Sequence, residues 1–169
     1  MNPVDQLCPN CGLCCDNTLF ADVELCAEDD PRRLSELGLS LMKKGRDRLA
    51  FAQPCACFDG KFCKIYADRP KHCKLFECAL LKKVITGDMK ADDALKKISE
   101  AKALANKMRR LLKSLNQSDK KTPDVERYAQ AMSEPIDLSD ETSSPNRQGQ
   151  LMQAFSDLMD VVQNDFLQE

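Results

Sequence analysis

Cys8-Pro9-Asn10-Cys11-Gly12-Leu13-Cys14-Cys15 places four thiols within eight residues near the N-terminus. A hydrophobic core has no use for thiols at that density, so the stretch reads as a metal-binding run. Two cysteines separated by two residues let both sulfurs meet one ion, and Gly12 accepts a backbone conformation that aims amides at a thiolate. A second two-residue gap leads to Cys14, as at the opening of bacterial ferredoxin runs. There the fourth cysteine follows after three residues and precedes a proline, whereas here Cys15 follows at once and Asp16 comes next.

Working outward, six more cysteines stand at Cys26, Cys55, Cys57, Cys63, Cys73 and Cys78, and none occurs in the last 91 of the 169 residues. The composition is 43% apolar but only 5% aromatic, with no Trp. That supports a modest core, and a Cys-dense segment of this kind needs cross-links. Compartment decides which kind. Residues 1–7 have neither the basic nor the apolar region of an export signal, and no window approaches the roughly 18 apolar residues of a membrane span. The expectation is a reducing cytoplasm, where thiols stay free or bind metal. Ten is an even count and admits disulfides in an exported chain, but the adjacent pair Cys14 and Cys15 speaks against them.

Between the cysteines the pattern is mixed. Residues 19–25 alternate as a strand does. Asp30-Pro31 starts a helix, with Asp30 as cap and Pro31 in the first turn; Leu34, Leu37 and Leu41 form its stripe. Gly38 and Gly45 both offer a stop, and Gly45 is preferred because it accommodates Leu41. Residues 48–52 alternate again. Asp59-Gly60 is the strongest hairpin signal in the chain. A three-residue loop over 58–60 is preferred there, pairing Cys57 with Lys61 and Cys55 with Cys63 at Cβ separations of about 4.5–5.5 Å. Residues 71–84 have helical spacing. Cys73 and Cys78 lie about 140° apart on a regular helix, so either the first turn is irregular or the two serve different positions.

The second half is helical. Leu95, Ile98, Ala101, Leu104, Met108, Leu111 and Leu115 recur at steps of three and four, an amphipathic helix over 92–115. A short helix over 124–132, a linker near 133–149 and a last helix carrying Leu151, Phe155, Leu158, Val162 and Phe166 complete the chain. Residues 91–121 carry nine basic and four acidic side chains, and residues 122–169 carry two and ten, within a net charge of −2. The basic face (Lys96, Lys97, Lys102, Lys107, Arg109, Arg110 and Lys113) has no interleaved aromatics, so no strong nucleic-acid binding is expected. The amphipathic helices pack on the Cys-rich part or on a protein partner.

The chain resembles the CxxCxxCC family of zinc- or iron-chelating domains, which includes the YkgJ-type cysteine cluster proteins. The resemblance rests on Cys8, Cys11, Cys14 and Cys15, then Pro54-Cys55, Cys63 with Ile65-Tyr66, Arg69-Pro70 with Cys73, and Phe76 with Cys78. It covers about residues 8–80 and implies that these eight cysteines are the metal ligands, with Cys26 and Cys57 outside the set. Some relatives are linked to flagellin lysine N-methylation. Thiolate ligands suit zinc and iron-sulfur clusters alike, so two four-thiolate sites and one cluster plus a structural zinc both remain open.

The reading is therefore an α+β protein: a small metal-stabilised Cys-rich module with a β-hairpin over residues 1–83, and a mainly helical extension over 84–169. Its expected function is to hold zinc or an iron-sulfur cluster. The alternative is an iron-sulfur-dependent redox or group-transfer enzyme, for which the sequence offers no convincing acid-base pair. His72, the only histidine, is read as a supporting or surface residue, and Tyr66 as a core residue with a bonded hydroxyl.

Overall fold

Asn2 begins the first helix: its side-chain oxygen accepts a hydrogen bond from the Val4 amide at 3.1 Å, and Pro3 occupies the first turn of α1 (Pro3–Cys11). The computed structural model describes residues 2–134 and 144–168. The sequence reading places no helix here, because cysteines and Pro9 dilute the apolar period and Leu7 is its one buried residue. The Asn-Pro start, Asp5 in the first turn and Gly12 beyond the end were the available signals.

Three strands follow, β1 (Asp22–Glu24), β2 (Leu41–Lys44) and β3 (Arg48–Ala52), in an antiparallel sheet of order β1-β3-β2. Phe51 sits opposite both Val23 and Leu41. Between β1 and β2 lies α2 (Pro31–Glu36), capped by Asp30, which accepts from the Arg33 amide at 3.1 Å. The expected continuation to Gly45 is wrong. Gly38 takes φ +101°, and its amide and that of Leu39 donate back to Ser35 O and Leu34 O, each at 3.0 Å. This double closure ends a helix firmly. Leu41 then belongs to a strand, and Gly45 turns the β2–β3 hairpin at φ +75°. Leu34, Leu39, Phe51, Cys57 and Ile65 form a small core beneath this sheet.

A 3₁₀ turn (Tyr66–Asp68) leads to α3 (Lys71–Leu75) and α4 (Ala79–Ile85), two short helices where the spacing suggested one. The main helices are α5 (Ala91–Ser114), α6 (Asp124–Ser133) and α7 (Ser144–Val161), the last extended by a π-helical turn (Val162–Leu167). Of the expected linker, residues 135–143 lie outside the described residues, and α7 begins at Ser144. The buried centre of α5 is Ala94, Ile98, Ala101, Ala105, Met108 and Leu112. Leu95, Leu104, Leu111 and Leu115 of the expected stripe flank it, partly buried. The stripe is broader than a single period because α1 and α7 both pack on α5.

One core joins the two halves of the chain. Leu7, Leu13, Leu19, Leu80 and Leu81 meet the α5 face and Leu151, Ala154, Leu158, Val162 and Phe166. Each fully buried leucine contributes about 1.5–3 kcal/mol by leaving water, so the helices form a base on which the cysteine-bearing loops sit. Among the described residues no helix is long and apolar enough to cross a membrane.

Candidate metal centre

All ten cysteines are free thiols. Seven of the eight expected ligands, all except Cys55, line a single cavity of about 790 Å³. Its placement follows from α1, which puts Cys8 and Cys11 one turn apart on one face, and from Gly12, where the helix stops at φ +76°. The Cys15 and Asp16 amides fold back onto Gly12 O at 2.9 and 3.0 Å. Leu13 is fully buried in this turn and fixes it to the core between Cys11 and Cys14.

By their strongest effects on one another the thiols sort into two groups. Cys8, Cys11, Cys14 and Cys78 act on one another: burial and then the Cys78 thiol push Cys8 up. Burial pushes Cys11 to about 12, with Cys78 and Cys8 adding to it. Cys14 is held well above its ordinary value by burial, then by Cys11, Cys15, Cys78 and Cys8. Cys15, Cys55, Cys63 and Cys73 form the second group. Cys15 rises to about 12 through burial and then Cys55, Cys73 and Cys63, and Cys73 rises to about 12 through burial, Cys55 and Cys63. Cys15 also raises Cys14, after Cys11 and ahead of Cys78 and Cys8, so the adjacent pair links the two groups. The pair that breaks the ferredoxin spacing is thus the junction of two sets.

Cys73 and Cys78 do not share one regular helix. The chain leaves the helical region at Phe76 (ψ 123°) and Cys78 (ψ 160°) between α3 and α4, so the fixed rotation of an unbroken helix does not relate them. Cys78 is raised by burial, but the amides of Leu81 and Leu80 at the start of α4 oppose that rise. Such amides favour the thiolate form. The Leu13 amide does the same at Cys11. At Cys55, which burial raises to about 11, the amides of Cys57 and Phe58 do so.

The preferred register of the 55–63 hairpin is corrected. Asp59 Oδ1 accepts from the amides of Lys61 and Phe62 at 2.9 and 2.7 Å, which widens the loop to four residues. Phe58 then pairs with Cys63 in an isolated bridge, and the Lys64 amide donates to Cys57 O at 2.8 Å. Cys55 reaches the second group by another route, its amide donating to Cys15 O at 2.8 Å. Cys57 stays beside Cys55, but its thiol faces the small core, 2% exposed, and donates to Leu37 O at 3.6 Å. Cys26 does not line the cavity; its amide donates to Asp29 at 2.8 Å. His72 does line it, with Nδ1 2.7 Å from Glu24 O. Tyr66 is not a core residue: it is 37% exposed with its ring under Arg69.

Residues 7–106, more than half of the chain, match the family described as "CxxCxxCC: Putative zinc- or iron-chelating domain". The chain belongs to the CxxCxxCC family. Neither the comparison with curated proteins nor that with solved structures finds a match.

The donor set of this CxxCxxCC domain fits a thiophilic ion. Each group has four sulfurs, the number that closes a tetrahedral zinc site or ligates an iron-sulfur cluster. The amides aimed at Cys11, Cys55 and Cys78 favour ionised sulfur. Among the described residues no three His, Cys, Asp or Glu side chains are drawn together closely enough to hold an ion as they stand. Burial and mutual repulsion oppose ionisation of the raised thiols, and both penalties fall when a cation shares their charge.

Proposed function

We propose that this domain holds metal in two four-thiolate sites, one of Cys8, Cys11, Cys14 and Cys78, the other of Cys15, Cys55, Cys63 and Cys73. The observation that carries the reading is which thiol acts most strongly on each of the adjacent pair, Cys11 on Cys14 and Cys55 on Cys15. Bound zinc or iron would supply cross-links that this small sheet and its loops lack. The first site would tie α1 and its closing turn to the α3–α4 break. The second would tie the same turn to the 55–63 loop and α3. Cys26 and Cys57 take no part. A reducing cytoplasm belongs to this reading, since the sites need free thiols.

The test is anaerobic purification with metal analysis and a visible spectrum. Two zinc ions per chain and no visible absorption is the expected result for zinc, and strong visible bands identify a cluster in either site. A purified, folded chain without zinc or iron sinks the proposal.

A second reading, an iron-sulfur-dependent redox or group-transfer enzyme, has one observation in its favour. The thiol-lined cavity also presents Phe20, Phe58, Phe62 and Phe76 and lies in the size range of small-molecule sites. Against it, the one histidine is already engaged with Glu24 O. Nucleic-acid binding remains outside the proposal, because Lys96, Lys97 and Arg109 of the basic face already pair with Asp93, Asp165 and the two acids Asp16 and Asp124. A protein partner would meet the exposed Val125, Met132 and Met152, since the α5 and α7 stripes are consumed by the core.

A further inference from the structure

Arg69 lines the thiol cavity and is fixed from behind. Its guanidinium carbon stands 3.5 Å from the Tyr66 ring centroid, and Nε donates to Tyr66 O at 2.8 Å. Among the described residues Arg33, Arg48, Arg109 and Arg127 each pair with a carboxylate, whereas Arg69, like the exposed Arg32, Arg46 and Arg110, pairs with none. An unpaired arginine on open surface needs no explanation. This one is immobilised at a wall made of thiols.

Charge accounting supplies the missing partner. Four thiolates around a divalent ion leave a net charge of about −2, and two such sites about −4, inside a half-enclosed cavity. Asp5 lines the same cavity and adds to that negative charge. Arg69 shares the cavity with Cys8, Cys11, Cys14 and Cys78 of the first group and with Cys15, Cys63 and Cys73 of the second. We infer that Arg69 is the shared counter-charge of both thiolate groups, held by Tyr66 so that its free nitrogens face the cavity. The inference rests on the two-site reading. Arginine suits the task because its charge is permanent and weakly hydrated.

The experiment is zinc titration against a chromophoric competitor under reducing conditions, with metal per chain measured in the same samples, for the wild type, R69Q, R69M and R69K. Wild type taking up two zinc ions in two steps is the prior condition. A wild type that binds fewer sinks the two-site reading itself, whatever the variants do. With that met, R69Q and R69M weaken both steps by at least about tenfold, the effect of a nearby unit charge in a partly desolvated site. R69K, which keeps the charge but not the flat stack, stays within about threefold of the wild type. Folding of R69K but not of R69Q in excess zinc supports the same assignment. Wild-type affinity in R69Q overturns it. So does R69K as weak as R69Q, which would make the stack rather than the charge the active element. Weakening of one step alone overturns the shared role.

Discussion

Arg109 of α5 binds Asp16, the residue directly after Cys15: Nη1 lies 3.0 Å from Asp16 Oδ2, and Nη2 donates to Asp16 O at 2.8 Å. The same guanidinium donates to Thr18 Oγ1 at 3.0 Å and to Asp124 of α6 at 2.7 Å. One side chain from the helical half thus fixes the 16–18 turn that directly follows Cys15. Arg109→Met leaves the largely buried Asp124 with only Arg127 as cationic partner and frees the 16–18 turn. It should lower unfolding stability by about 2–4 kcal/mol, less than for a fully buried pair because Arg109 is partly exposed. Denaturant melts of the metal-loaded protein measure this. A change below about 0.5 kcal/mol, the scale of an ordinary surface substitution, would mean the helices do not brace the cysteine turn.

Gly12 is required twice over. Its φ of +76° disfavours any other residue, and a Cβ there would lie 2.6 Å from Phe58 Cζ. Gly12→Ala should therefore cost about 2–4 kcal/mol, combining left-handed strain with overpacking. It should also reduce bound metal, since the displaced Phe58 is the residue paired with Cys63. Thermal melts with metal analysis read both effects. Full metal content with an unchanged midpoint would remove the close approach from the account.

What the sequence revealed and what it hid divide along physical lines. The Asp30-Pro31 start, the β3 alternation and the periods of α5 and α7 are local signals with local causes, and all reappear in the structure. The stop of α2 was ambiguous because two glycines offered it, and only the buried position of Leu39 makes Gly38 the better one. The 58–63 loop misled because the Asp59 carboxylate captures two amides, a side-chain effect that turn-length rules omit. Spacing and family likeness picked out eight cysteines, and seven of them line one cavity. The proposed division into two sets was not legible, because it draws on the α3–α4 break and on the Cys55 amide reaching Cys15 O, features set by residues far apart in the chain.

Proton release gives a test independent of any substitution. In the metal-free chain Cys11, Cys15 and Cys73 are raised from 9.0 to about 12, and Cys55 to about 11. These thiols are protonated at neutral pH and must ionise to bind metal. Zinc uptake near pH 7.5 should release close to one proton per ligating thiol, read with an indicator dye in weak buffer. Without metal the sign of the stability effect is set by the same shifts. Folded-state values above the unfolded one stabilise the fold fully below about pH 9, and that stabilisation is lost as pH rises through 11–12. Metal-free protein should therefore weaken on alkaline titration. Zinc uptake with no proton release would show that the thiols are not the ligands.

The division of the cysteines is best tested by pairs. Serine cannot replace an ionised thiolate at a metal, so Cys11→Ser or Cys14→Ser should remove the ion of the first group alone, and Cys15→Ser or Cys73→Ser that of the second. The double variant C11S/C14S should then lose no more metal than either single change, while C14S/C15S should lose both ions although its substitutions are adjacent. Cys26→Ser should leave metal and stability unchanged. Cys57→Ser should keep both metals yet cost about 1–3 kcal/mol, because it puts a hydroxyl into the small core formed by Leu34, Leu39, Phe51 and Ile65. Metal counts per chain and denaturant melts on this set decide the matter. If C14S/C15S retains one ion, or C11S/C14S loses two, the groups are not those drawn from the turn at Gly12.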